Sequence, residues 1–231
     1  MKHIEQMIEK IESIDSKEGL NGFFQEVGQT FHYAWSGLVI FEPSSSKHFI
    51  PKFFGDVPAR LRTFISRDDN IKRYCLNESK PVDYRKLLLE KKALTPSNET
   101  EAVFPLEECQ LVIPVNGLGS EFACLIFSMP EQLMEEKILE KLGWYWVMLS
   151  PFIYSRYRKK VMEQVTKMTK RELECIKWAS EGKTSWEISQ LLTISQRTVD
   201  FHLANCITKT DSINRQQAVV KCILHGHLLA V

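Results

Sequence analysis

The sequence predicts an α+β protein in two parts. An N-terminal α/β/α sandwich around a central, mainly antiparallel sheet is expected over residues 1–160, and an all-α four-helix helix-turn-helix domain over 168–231, joined by a short polar linker at 161–167. Three observations carry this. Two apolar, β-prone runs, Leu111 to Val115 and Phe122 to Phe127, flank Asn116-Gly117-Leu118-Gly119, whose glycines permit a tight reversal. Apolar residues at helical spacing precede, separate and follow the strand-like runs, which places helices on both faces of a sheet. Near the C-terminus the pattern Thr-x-x-Glu occurs twice in close succession, each time ahead of a short amphipathic run.

Taken in order, Ile4, Met7, Ile8 and Ile11 fall at helical spacing, and Leu20, Phe23, Phe24 and Val27 mark a second helix from about Lys17 to Tyr33. Trp35 to Phe41 is short, apolar and β-prone. Glu42-Pro43-Ser44-Ser45-Ser46 is a turn signal, and His48 to Phe54 reads as the partner strand of a hairpin. The helical period returns with Leu61, Phe64 and Ile65, and again from Asp68 to Asn77 with Ile71, Tyr74 and Cys75. A polar stretch from Lys91 to Thr100 has no clear period. From Glu131 to about Lys160 a long helix is predicted, with Leu139, Leu142, Trp146, Leu149, Ile153 and Tyr157 at coiled-coil-like spacing and Pro151 as a kink. The stripe of Leu142, Trp146, Leu149 and Ile153 has two readings: a dimer contact, or cover for the sheet of its own domain.

The C-terminal part is legible turn by turn. Thr169-Lys170-Arg171-Glu172 is a capping box, Leu173, Ile176, Trp178 and Ala179 mark the buried side of the helix it opens, and Gly182 stops it. Thr184-Ser185-Trp186-Glu187 is a second box, followed by Ile188, Leu191 and Leu192. Only Thr193 and Ile194 separate this helix from the next, which starts near Ser195. That spacing is the helix-turn-helix arrangement whose later helix enters the DNA major groove. On that helix Val199, Leu203, Cys206 and, near one edge, His202 point inward, while Arg197, Phe201, Ala204 and Thr208 point outward with Asp200 and Asn205 at the margins. Asn214 to Gln217 caps a last helix with Ala218, Val219, Cys222 and Ile223 on its apolar side.

Composition narrows the class. No apolar run approaches the roughly twenty residues that span a bilayer, and charge begins at Lys2 with no signal core behind it, so a cytoplasmic protein with no membrane partner is expected. Cys75, Cys109, Cys124, Cys175, Cys206 and Cys222 show neither paired nor His-flanked metal spacing, so no metal is expected and the thiols read as reduced core residues. No His, Cys and carboxylate constellation stands at catalytic spacing, which disfavours an enzyme. The net charge is only +1, but the segment 166–231 carries nine Lys/Arg against six Asp/Glu, so the basic excess lies where phosphate would be met. So small an excess implies two copies acting together on double-stranded DNA, as an inverted repeat requires.

The C-terminal string resembles the DNA-binding domain of the LuxR family of bacterial transcription regulators. Thr169, Glu172, Trp178, Gly182, Lys183, Thr184, Glu187, Ile188, Ser195, Arg197, Thr198, Val199, His202, Asn205, Lys209, Asn214 and Gln217 all match, while Cys206 and Thr210 stand where the family has larger aliphatic residues. Thr184, Ser185, Arg197, Thr198 and Lys209 are then expected to hold the DNA backbone, with Gln196, Asp200, Phe201 and Ala204 at the bases and Asn205 also among the DNA-binding residues. The resemblance supports positions 200 and 204 as readers.

The element order of residues 1–160 is similar to the family's autoinducer-binding domain. In that domain an Asp on a helix accepts a hydrogen bond from the amide of an acyl-homoserine lactone, and an aromatic follows after a Pro; Asp69 and Tyr84 take those places here. The resemblance implies a signal pocket of Asp69, Tyr84, Trp35, Phe53, Phe64 and Ser128, with no other cofactor. Phe lacks the donors that the family places upstream of the Asp, and each lost bond to a buried carbonyl costs about 1–3 kcal/mol. A less polar analogue of the lactone therefore suits the residues better than an ordinary one. On its own spacing Asp69 also reads as a solvated helix-start residue. Two functions follow: a homodimeric, signal-controlled transcription regulator of quorum-sensing type, or a ligand-independent member that forms heterodimers with related regulators and titrates them.

Overall fold

The computed structural model describes residues 2–43, 49–67, 69–86, 111–117, 121–129, 135–162, 168–224 and 228. Contacts divide the chain into two units, the N-terminal one reaching Val161 and the C-terminal one starting at Met162. The N-terminal unit opens with α1 (Lys2–Glu12) and α2 (Lys17–Phe31), the second capped by the Ser16 hydroxyl, which accepts from Gly19 N–H at 3.1 Å. A left-handed His32 ends α2 at Phe31, two residues short of the Tyr33 that the apolar spacing predicts. Then come β1 (Trp35–Pro43), β2 (Phe49–Gly55), α3 (Ala59–Arg67), α4 (Asp69–Asn77), β3 (Val82–Asp83), β4 (Leu111–Asn116), β5 (Phe122–Ser128) and α5 (Glu136–Arg156). A π-helical segment, Tyr157–Met162, continues α5. The polar stretch from Lys91 to Thr100 lies outside the described residues, as does Cys109.

Among the described residues the sheet has five strands in the order β2-β1-β5-β4-β3, antiparallel at every pairing. The hairpin and the two central runs are thus as the apolar pattern predicts. Gly117 is required after β4, because a Cβ there would lie 2.0 Å from the Glu121 carbonyl oxygen. Strand alternation sends Trp35, Val39, Phe41, Phe122, Cys124 and Ile126 to one face, where Leu61 and Ile65 of α3 and Ile71 and Cys75 of α4 cover them. On the other face α2 lies against β1 and β2, and α5 against β4, giving the three-layer α/β/α sandwich. No described helix is long and apolar enough to cross a membrane.

The long helix decides between its two readings in favour of the sheet. Trp146, Leu149 and Ile153 are fully buried and Leu142 half-buried, so that stripe covers the helix's own domain and is not the dimer contact. The physical reason is aromatic packing: the Trp146 ring stacks on Phe127 of β5 at 4.7 Å, and its indole N–H donates to the Tyr33 hydroxyl at 3.2 Å. A different apolar line, Trp144, Met148 and Phe152, stands 45%, 52% and 39% exposed. The helix runs through Pro151, which cannot donate to Val147 O. The Ser150 hydroxyl donates to that carbonyl instead, at 3.0 Å.

Candidate nucleic-acid interface

The C-terminal unit is built from its caps outward. Thr169 caps α6 (Lys170–Ser180) and Thr184 caps α7 (Ser185–Leu192), each in a complete capping box. Gly182, at φ 83°, turns the chain between them, and Thr193, at φ 54°, ends α7. Ser195 then caps α8 (Gln196–Lys209), its hydroxyl accepting from Thr198 N–H at 3.1 Å, and α9 (Arg215–Leu224) follows with Asn214 accepting from Gln217 N–H at 2.8 Å. The tight turn from Thr193 to Ser195 is that of a helix-turn-helix.

One side of α8 is fixed inward. Val199, Leu203 and Cys206 pack with Cys175 and Ile176 of α6, Ile188 of α7, and Ala218 and Cys222 of α9. Burial pushes the Cys206 thiol up to about 12 and Cys222 up to about 11, so both stay protonated as core residues. The opposite side of α8 is therefore presented outward: Gln196, Arg197, Asp200, Phe201, Ala204 and Thr208 are exposed, with the Phe201 ring at 61%. Asn205 and Thr198 are half-buried at the margins, and the Thr198 hydroxyl is shared with Ser195 Oγ at 2.7 Å.

Several residues expected at phosphate already hold the fold. The Thr184 hydroxyl donates to Glu187 Oε2 at 2.8 Å and accepts from Glu187 N–H, so it is committed to its cap; Ser185 beside it is half-buried. Lys209 Nζ lies 2.6 Å from Oε2 of Glu172, whose side chain is buried. Burial alone would raise the Glu172 carboxyl. The Lys209 ammonium and the Thr169 N–H and hydroxyl hold it below the ordinary value. Arg215 donates to the Lys183 carbonyl and Lys221 to the Thr210 carbonyl. Arg197 is exposed on the first turn of α8.

Inside this unit the apolar sides differ from the sequence reading in detail. Glu172 and Cys175 are buried where Leu173, Trp178 and Ala179 are only half-buried, and Leu191 and Ile223 are exposed at 50% and 41%. The short helices are wrapped on one side only, so an apolar residue a third of a turn off the contact line stays in solvent.

In the N-terminal unit the structure gathers most of the expected pocket residues and leaves one out. Trp35, Tyr84 and Ser128 are buried, Phe53 and Phe64 pack half-buried against the same apolar cluster, and Trp35 pairs with Ser128 across β1 and β5. Phe64 meets Tyr84 edge-on at 6.4 Å, and Phe41 stacks on Phe122 at 4.7 Å. Asp69 instead points to solvent, its side chain 82% exposed and 3.2 Å from Lys72. As the first residue of α4 it sits where the helix dipole favours a carboxylate, the helix-start reading of its spacing. Among the described residues no group of His, Cys, Asp and Glu could hold a metal ion.

Residues 166–222 match the model of the bacterial regulatory proteins of the luxR family (GerE). The chain is 25% identical to the transcriptional activator protein LuxR of Aliivibrio fischeri over 237 residues, spanning 96% of this chain and 93% of that one. It is 37% identical over 125 residues to the transcriptional activator protein AhyR of Aeromonas hydrophila, covering 50% of this chain and 46% of the relative. In fold it is similar to Escherichia coli SdiA, with a TM-score of 0.69 at 19% identity over 99% of each chain. A second SdiA structure, in complex with octanoyl-rac-glycerol, gives a TM-score of 0.69 at 20% identity over 98% of this chain and 96% of that one. The capped four-helix module that presents one face of α8 thus matches the DNA-binding domain of the luxR family, and it closes a chain that is similar over nearly its whole length to the transcriptional activator LuxR.

Proposed function

We propose that this protein is a dimeric, sequence-specific transcription regulator of quorum-sensing type that works in the cytoplasm. Residues 1–160 sense a small molecule and dimerise, 161–167 link, and 168–231 bind an inverted-repeat DNA site. The observation that carries the reading is the outward face of α8, where Arg197 can meet phosphate and Gln196, Asp200, Phe201 and Ala204 can meet base edges. Arg197→Ala is expected to weaken binding to all sequences alike and lower the salt slope by roughly one unit. Asp200→Ala is expected to relax preference at one base position by about 1–3 kcal/mol. Affinities for a set of single-base operator variants check both, and an Asp200→Ala protein with an unchanged ranking of sites would refute the base-reading assignment.

The signal proposed is apolar, an acyl chain with few hydrogen-bonding groups, rather than an ordinary acyl-homoserine lactone. Its support is the cluster between the sheet and α3 and α4, where Phe53 and Phe64 stand and Asp69 faces away. The octanoyl-rac-glycerol complex of SdiA, a protein of similar fold, is in keeping with this. Dimerisation is assigned to the exposed line Trp144, Met148 and Phe152 of α5, since an apolar line of that size in solvent favours association. Met148→Glu is expected to shift the sedimentation of the full-length protein toward monomer at least tenfold in concentration, about 1.4 kcal/mol; an unchanged association constant moves the dimer contact elsewhere. The outward Asp69 also favours the second reading, a ligand-independent member that forms heterodimers with related regulators. That reading requires a partner for DNA binding, so operator binding by the purified protein alone decides against it.

A further inference from the structure

At one end of the sheet, on the face covered by α5, two carboxylates meet the π-helical end of that helix. Glu42 of β1 and Glu121, just before β5, flank the paired residues Phe41 and Phe122. The Glu121 side chain is wholly buried, its Oε1 accepts from the Tyr154 hydroxyl, and Arg158 Nη1 lies 3.7 Å from the same oxygen. Oε2 of Glu121 is buried with no hydrogen-bond partner among the described residues. Glu42 accepts from the Tyr157 hydroxyl at 3.2 Å and pairs with Lys52 of β2 at 2.6 Å. Tyr157 and Arg158 are the first two residues of the π-helical segment, a form that is rare and occurs mostly as single turns at functional places.

We propose that Glu121 and Glu42 fasten the π-helical end of the long helix through Arg158 and Tyr157, and that a proton taken from solvent onto Oε2 of Glu121 unfastens it. The ionised carboxylate attracts the Arg158 guanidinium in a site of low dielectric. The neutral carboxyl still accepts from Tyr154 but loses that attraction. The segment so released is the one from which the chain leaves the N-terminal unit.

Among the described residues, the charged and titratable groups facing Glu121 are Glu42 from β1, Lys52 from β2, and Tyr154, Tyr157 and Arg158 from the helix. Burial drives the Glu121 carboxyl upward, Tyr154 and Arg158 oppose the rise, and Glu42 adds to it while Lys52 opposes. A folded value above the unfolded one means that folding takes up a proton. This contribution to stability is fully present below the unfolded value and is lost as pH rises through the folded one. The protonated state thus favours the fold of the unit while loosening its last helical turns.

Amide hydrogen exchange of the full-length protein, read at residues 157–161 and corrected for intrinsic rates, tests the proposal between about pH 5 and pH 8. Protection of that segment is expected to fall as pH is lowered, by roughly tenfold across the window. Glu121→Gln is expected to show low protection throughout, and Glu42→Gln to keep the pH dependence. Wild-type protection that does not change with pH overturns the proposal, as does a pH dependence that survives unchanged in Glu121→Gln. Should Glu121→Gln not fold, Arg158→Gln is expected to give the same low and pH-independent protection, and a wild-type profile there overturns the proposal equally.

Discussion

Trp146→Ala is expected to destabilise the N-terminal unit by about 3–5 kcal/mol, a large share of what a domain of this size has to lose. The side chain has no exposed surface, stacks on Phe127 at 4.7 Å and meets Phe31 at 5.5 Å. Its removal opens a cavity between α5 and the sheet and leaves the Tyr33 hydroxyl without the indole donor. Burial already pushes the Tyr33 phenol up to about 12 against that hydrogen bond. Trp146→Phe keeps most of the stacking and drops only the N–H, so it should cost about 1 kcal/mol for the lost bond beyond the area lost. Urea denaturation followed by circular dichroism measures both. An Ala variant that loses less than about 1 kcal/mol would mean the helix is not anchored through this ring.

Lys209→Ala is expected to lower the stability of the DNA-binding unit by about 1–3 kcal/mol with no DNA present. Removing one partner of a buried pair costs about 3–5 kcal/mol, and the 35% exposure of the Lys209 side chain reduces that. The loss arises because Glu172 keeps its buried charge with only Thr169 to satisfy it. Glu172→Ala removes the capping box as well as the ion pair and should cost at least as much. Since Glu172 is held below the ordinary carboxylate value, its contribution is present above the unfolded value near 4.5 and is lost as pH falls through the folded one. Lys209→Ala should therefore flatten the acid limb of the stability profile. If it leaves stability unchanged and lowers only DNA affinity and its salt slope by about one unit, Lys209 is a phosphate ligand after all.

What the sequence by itself determined was local. The capping boxes at Thr169 and Thr184, the stop at Gly182, the cap at Ser195 and the inward line of Val199, Leu203 and Cys206 all stand as their spacing predicts. Each rests on groups within one or two turns of chain, so contiguous residues specify it completely. The buried central strands were equally legible, because an unbroken apolar run has no other place to go. Tertiary structure decided the rest. The long helix is apolar on more than one side, and only the fit of Trp146 onto Phe127 and Tyr33 selects which line is covered and which line, Trp144, Met148 and Phe152, is left in solvent. Asp69 could face a pocket or open a helix, and the packing of α4 through Ile71 and Cys75 turned it outward. Lys209 and Glu172 stand far apart in the chain and meet only when α8 packs on α6, as Glu42 and Glu121 meet only when β1 pairs with β5. Periodicity shows that a residue has a face, but a charge is taken up by whichever partner the fold brings within reach, and that partner is set by contacts between distant segments.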